Sequence, residues 1–340
     1  LSTAGLTGTT VVSAGTETGV DSAGEEVVDM VFCKPPKVNT CGNAVQPCIT
    51  HRCTRIARRH LCLAPCTPNS SSLMPTHHSA ETLLIEGPDA RAFAHAQFSS
   101  PVSSLAIGQW QFSAWLDPQG RVRALFQLAR LADERYLLLL RGGDAAAMAD
   151  ALHRFVFRSK LSVTAWQPRR LATGAVLPLH AVADDGENVS LGCGTHSLRL
   201  IATGAGDDAW RLPQLRAGWP WLPACLLGEL LPPALSLQRL HAVAIDKGCY
   251  PGQEIVARLH FRGGHKRHLH RVTLSQAAVA GDTLRRDGCE AGCVLDVVGT
   301  DDGIEALVVL SDDIAATVGA GHPHAFDDNL ALDIIASWPA

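Results

Sequence analysis

Residues 247–258 read K-G-C-Y-P-G-Q-E-I-V-A-R and restrict the local fold more sharply than any other part of the chain. Gly248, Pro251 and Gly252 fall within five positions. Neither a core strand nor an amphipathic helix tolerates that density, because glycine loosens the backbone and proline removes a hydrogen-bond donor. The spacing predicts a rigid loop that presents Cys249 and starts a helix near Gln253. On that helix Glu254 and Arg258 stand four apart on one face and can pair. The competing reading is an ordinary strand-to-helix turn with a buried cysteine.

The thiolate is the reactive form of cysteine, and positive charge or a helix N-terminus raises its population. Lys247 sits two residues from Cys249, and the expected helix begins just downstream. That setting suits a nucleophile, a metal or cluster ligand, or a redox thiol. One cysteine cannot hold a cluster alone. No second cysteine stands near it in sequence, although the fold can bring Cys225 or Cys289 closer. A single reactive thiol is the favoured reading, with a structural thiol as the alternative.

A chain of 340 residues with 46% hydrophobic and 18% charged residues can bury a sizeable core, and its length suggests two or three domains. The formal net charge of −4 speaks against a globally basic nucleic-acid binder, so direct RNA binding is not expected. No apolar run approaches the roughly 18 residues needed to span a bilayer. No basic start followed by an apolar segment resembles a signal peptide. The expected setting is the cytoplasm.

Six of the eleven cysteines (Cys33, Cys41, Cys48, Cys53, Cys62 and Cys66) lie before Met74. Their gaps are irregular and contain no C-x-x-C, unlike a zinc module. Residues 1–73 lack sustained hydrophobic periodicity and change in texture from Thr, Gly and Ser to Pro, Cys and Arg. They are expected to form a disordered or non-native extension, with Met74 as the natural start.

An ordered pattern follows. Residues 82–86 read as a strand, and Gly87-Pro88-Asp89 caps a helix to about Gln97. Strands over 110–116 and 121–131 are joined by the turn sequence Asp117-Pro118-Gln119-Gly120. A strand over 135–141, a helix to about Phe155 and a strand over 160–166 come next. More strands and a short helix at 208–215 complete an α+β region. Beyond Arg267, strands at 269–274, 292–298, 305–310 and 331–336 with weak helix signals suggest a small β-barrel.

The cysteine stretch, with Ala257-Arg258, Phe261-Arg262-Gly263 and Lys266-Arg267 after it, resembles the signature of the YgfZ family. These proteins are relatives of the glycine-cleavage T-protein, an aminomethyltransferase. Residues 215–220, L-R-A-G-W-P, resemble the family's A-G-x-P segment, and the 117–120 turn resembles its D-x-x-G hairpin. The resemblance covers roughly Glu81 to the C-terminus. It implies an α+β fold of two ferredoxin-like halves over 74–266, forming a folate-binding T-protein-like region, with a C-terminal β-barrel over 267–340. It implies a folate-binding accessory protein that takes tetrahydrofolate or a one-carbon derivative. Its partners would be iron–sulfur enzymes or assembly proteins, including enzymes of tRNA modification.

Carried onto this chain, the resemblance points to Cys249 and Lys247 as the reactive pair. It assigns Trp210, Asp117, Gln253, Glu254, Arg258 and Arg262 to the folate. A pterin needs an apolar or aromatic slot with a few polar groups at its edge. Trp210 is placed to supply one, though it also suits a plain core tryptophan, and Asp117 also suits a plain turn. The family's second tryptophan, due near Ala80, is missing, and Pro233 stands where glutamine is usual. The basic run Arg258, Arg262, His265, Lys266, Arg267, His268, His270 and Arg271 can bind a folate tail, a phosphate or an RNA backbone, or form a solvated face. Its histidines lack the partners of a zinc site, so no metal is assigned. Two alternatives stand beside the accessory role: a folate-dependent aminomethyl or methyl transferase, and a thiol-bearing scaffold without folate.

Overall fold

The computed structural model describes residues 79–319, 326–327 and 329–339. The chain divides into two units, Leu1–Leu63 and Ala64–Ala340, and every described residue lies in the second. The expectations for residues 1–73 and for Met74 fall outside the described residues. No described helix is long and apolar enough to cross a membrane.

The first sheet gathers β2 (Thr82–Glu86), β3 (Gln109–Leu116), β4 (Val122–Ala132), β5 (Arg135–Leu140) and β6 (Ser162–Ala165) in the order β3-β4-β5-β2-β6. Helices α1 (Ala90–Gln97) and α2 (Ala145–His153) cover one of its faces. The leucine run of β5 shows how one strand serves two cores. Tyr136, Leu138 and Leu140 pack with the helices, while Leu137 and Leu139 turn to a central core. Alternate side chains of a strand leave on opposite faces, so an unbroken apolar run marks burial on both.

The second sheet orders β1 (Ser79–Ala80), β7 (Arg169–Gly174), β8 (Val182–Asp184), β9 (Val189–Gly192) and β10 (Ser197–Ile201) as β1-β7-β10-β9-β8. Its apolar face, with Leu171, Leu191 and Leu198, joins the same central core. A short helix α3 (Arg211–Arg216) and an irregular segment then lead to α4 (Gln253–Arg262). All three sheets are antiparallel, and the first two are consistent with the ferredoxin-like halves.

The C-terminal region corrects the expected barrel. Strands β11 (Arg267–Leu274), β12 (Thr283–Arg286), β13 (Cys289–Thr300), β14 (Gly303–Ser311) and β15 (Leu332–Trp338) form an open sheet ordered β12-β13-β14-β11-β15. Strands β12 and β15 are free edges, whereas a barrel pairs its first and last strands. The sheet does not need to close, because both its faces are covered. Leu269, Cys293, Leu295, Leu307 and Val309 enter the central core. Val272, Val294, Val308 and Leu310 pack under Phe326, Leu330 and the helix α5 (Asp312–Gly319), which the sequence pattern left unread. The run from Ala306 to Leu310 is buried throughout, unlike the alternation of a strand with one wet face.

Trp338, at the end of β15, closes this region onto the rest. Its ring lies so near Gly218 (φ 68°) that a Cβ there would fall 2.7 Å from it. The Ser236 hydroxyl donates to the Trp338 carbonyl, and Arg239 stacks on the ring at 5.0 Å.

His270 marks the β11–β15 seam. It is buried, its Nδ1 lies 2.8 Å from Ser337 Oγ, and its Nε2 has no partner. Burial, with His268 adding to it, pulls its pKa down to about 4 from 6.5. The unfolded chain therefore takes up a proton before the folded one does, and stability present above pH 6.5 is lost as pH falls through 4. Denaturant unfolding of wild type between those pH values is expected to show about 2–3 kcal/mol more acid sensitivity than His270→Gln. Equal acid sensitivity of the two proteins would contradict this assignment.

Candidate functional site

The Cys249 loop is fastened by its own side chains. Lys247 Nζ donates to the carbonyls of His95 (2.6 Å), Ser100 (3.0 Å) and Phe98, capping the C-terminal end of α1. A cation there is favoured by the unpaired carbonyls and the helix dipole. Burial pulls the Lys247 pKa down to about 8. Gln253 Nε2 donates back to the carbonyls of Lys247 (3.0 Å) and Ile245 (3.3 Å). Tyr250 is buried, its hydroxyl donates to the Ala244 carbonyl at 2.8 Å, and Lys247 Nζ sits 4.9 Å from its ring. With these three side chains turned inward, Gly248 and Cys249 form an exposed apex, and Cys249 is a free thiol.

A distant turn braces the loop from below. Gly252 (φ 78°) lies against the 117–120 hairpin, where a Cβ would fall 2.5 Å from the Asp117 carbonyl and 2.8 Å from Gly120 Cα. Asp117 Oδ1 accepts the Arg121 amide at 2.8 Å, and the Gly120 amide donates to the Asp117 carbonyl at 2.9 Å. Asp117 therefore serves the turn. The neighbouring segment is fixed to β4 by Val122 N to Leu230 O and Gly228 N to Val122 O, each at 2.8 Å. Motifs more than a hundred residues apart in sequence thus meet at one place.

A cleft of about 380 Å³ opens beside the loop, lined by Pro101, His241, Val243, Ala244, Ile245 and Asp246. Its volume is in the range of small-molecule sites. His241 holds a left-handed backbone (φ 51°), a conformation that non-glycine residues adopt only when their surroundings impose it. Nothing in the sequence pattern singles out His241 or Asp246 beyond their nearness to the motif.

The other expected site residues are dispersed. Trp210 is 1% exposed in the central core, where its indole donates to the Asp207 carbonyl at 2.7 Å and its ring lies 5.3 Å from Trp221. Glu254, Arg258 and Arg262 lie exposed on α4, and Glu254 and Arg258 form no ion pair with each other. The basic run divides. Arg267 pairs with Glu290 (2.6 Å), His268 with Asp312 (2.6 Å) and Arg271 with Glu305 (3.1 Å), all structural bridges within the third sheet and α5. Cys193 and Cys293 are pushed up by burial to about 11 and 12, while Cys225 and Cys289 are exposed. Among the described residues no three His, Cys, Asp or Glu side chains gather in a metal-binding arrangement.

No family model matches the chain. The tRNA-modifying protein YgfZ of Klebsiella pneumoniae is 27% identical over 294 residues, covering 74% of this chain and 90% of the relative. A Haemophilus influenzae protein described as uncharacterized is 29% identical over 243 residues, covering 68% and 86%. Among solved structures, the glycine cleavage system aminomethyltransferase T of Bartonella henselae aligns with a TM-score of 0.56 at 18% identity, covering 76% of this chain and 85% of that one. The chain is thus similar to YgfZ proteins in sequence and to an aminomethyltransferase T in fold.

The bracing of the loop has a direct test. Gly252→Ala is expected to destabilise the protein by about 2–4 kcal/mol, from its positive φ and the blocked Cβ. Gly248→Ala, whose Cβ would meet nothing within 4 Å, is expected to stay within about 0.5 kcal/mol of wild type. Chemical denaturation of both variants checks the contrast, and equal costs would refute the bracing.

Proposed function

We propose that this protein is a folate-binding accessory factor that receives a tetrahydrofolate species in the cleft beside residues 245–250. In this reading it supports iron–sulfur enzymes, including those of tRNA modification, through the exposed Cys249. The observation that carries it is the loop itself: Lys247, Tyr250 and Gln253 are all spent on holding the backbone, and a free thiol stands at the apex beside an open cleft. The sequence similarity to YgfZ proteins and the aminomethyltransferase-like fold support the choice of folate.

The residues present suit such a ligand. A pterin edge offers N–H donors, for which the Asp246 carboxylate and His241 are the acceptors at hand. Val243 and Ile245 supply apolar surface on the same wall. The transferase alternative needs an acid or base at the one-carbon group. Asp117, the candidate that the sequence offered, already accepts the Arg121 amide. The accessory role places no such demand on the site.

Calorimetric titration of the full chain with tetrahydrofolate is expected to give saturable binding. Asp246→Ala should weaken it about tenfold, the effect of losing about 1.4 kcal/mol. Cys249→Ala should bind folate as wild type does yet fail to restore iron–sulfur enzyme activity in cells lacking the protein. Absence of binding at near-millimolar ligand would leave a thiol-bearing scaffold. Full cellular activity of Cys249→Ala would remove the thiol from the mechanism.

A further inference from the structure

Residues 151–183 contain no Asp or Glu, in a chain that has 33 of them among 340 residues. The same stretch holds Arg154, Arg158, Lys160, Arg169 and Arg170, and among the described residues none of the five forms an ion pair. It surrounds β6, an edge strand of the first sheet. The sequence before β6 interleaves base and aromatic as R-F-V-F-R-S-K. Phe155 is 48% exposed and Phe157 is 78% exposed.

This surface is built rather than frayed. The loop between α2 and β6 is held by Phe155 N to Leu152 O (2.9 Å), Val156 N to His153 O (3.2 Å) and Ser159 N to Val156 O (3.0 Å). Arg158 takes a left-handed backbone (φ 64°), and its guanidinium lies 5.1 Å from the Phe157 ring centre. Beyond the strand, Arg169 stacks on Trp166 at 4.1 Å. Asp89, which borders the patch, accepts the Lys160 amide on Oδ2 at 2.6 Å.

Two exposed phenyl rings stand among three cations that form no ion pair among the described residues. Stacking surfaces flanked by unpaired cations match a flexible polyanion whose monomers carry flat rings. An acidic protein segment satisfies the charges but has no general use for exposed ring faces. We propose that this edge binds single-stranded nucleic acid, with Phe155 and Phe157 stacking on bases and Arg154, Arg158 and Lys160 following the phosphates. The net charge of −4 hides the site because the acidic residues lie elsewhere in the chain. The proposal is independent of the folate reading.

The test is fluorescence anisotropy of the full chain with a labelled, mixed-sequence RNA of about 12 nucleotides, a length within the range for such sites. Titrations run between about 50 and 200 mM salt. Arg154→Gln/Arg158→Gln/Lys160→Gln is expected to weaken binding at least about tenfold and to reduce the salt slope by about 2, as losing three phosphate contacts does. Phe155→Ala/Phe157→Ala should weaken binding about tenfold with the slope unchanged, and Phe157→Ser alone serves if the double variant fails to fold. Arg258→Gln/Arg262→Gln/Lys266→Gln, which removes the same charge from α4 and the residues after it, should leave the dependence on Phe157 intact. The proposal is overturned if wild type binds no RNA, or if both charge variants lose affinity equally while the phenylalanine variants are silent. It is also overturned if poly-glutamate binds with the same phenylalanine dependence, which would assign the surface to an acidic protein.

Discussion

A single buried cation ties the first sheet to α3 and the irregular segment that follows it. Arg141, just past the end of β5, is fully buried and forms no ion pair among the described residues. Its Nε donates to the Pro220 carbonyl (2.9 Å), and its terminal nitrogens donate to the Trp219 carbonyl (2.9 Å), Gln214 Oε1 (2.8 Å) and Gln127 Oε1 (3.4 Å). Its guanidinium lies 4.6 Å from the Trp221 ring and 5.7 Å from Phe112. Burial lowers its pKa to about 9. A leucine here would spare the desolvation of the charge but would leave the carbonyls of an irregular buried segment without donors, a larger loss. The Leu222 amide donates back to the Arg141 carbonyl at 2.8 Å, so the contact is reciprocal.

The candidate site depends on that clamp. From Leu222 the chain runs to Gly228 and Leu230, which pair with Val122 at the foot of the 117–120 hairpin. The hairpin in turn carries Gly252 and the Cys249 loop. Each joint is a backbone hydrogen bond or a glycine approach, neither of which a side-chain rotamer can absorb. Cys249 is therefore presented by a rigid support although it is itself exposed. Such an arrangement suits a thiol that must meet an incoming partner at a fixed distance from a bound ligand.

The local syntax of this fold was legible. Gly248, Pro251 and Gly252 announced a loop and a helix at Gln253, and α4 begins there. Alternating apolar patterns located most strands, because strand and helix periods are local properties. What failed was long-range. The third sheet read as a barrel because its strands lacked strong helix signals between them, and α5, which covers it, is short. Lys247 looked like the charge beside Cys249, yet its partners are the carbonyls of His95, Phe98 and Ser100, about 150 residues earlier. Arg141 read as the last residue of a strand, and nothing in its neighbours announced the carbonyls it serves.

The same limit applies to charge. The basic run after Arg258 looked like one surface, but Arg267, His268 and Arg271 are committed to Glu290, Asp312 and Glu305. Those acids sit on β13, α5 and β14, too far along the chain for local charge counting to pair them. The acid-poor stretch 151–183 shows the reverse case, since its cations have no such partners among the described residues. A cation's role is set by whether the fold brings it a carboxylate, a carbonyl or nothing. Only the last kind is left to attract a partner from outside. On that criterion a net negative charge places no bar on a local polyanion site, because screening confines electrostatic attraction to about a Debye length.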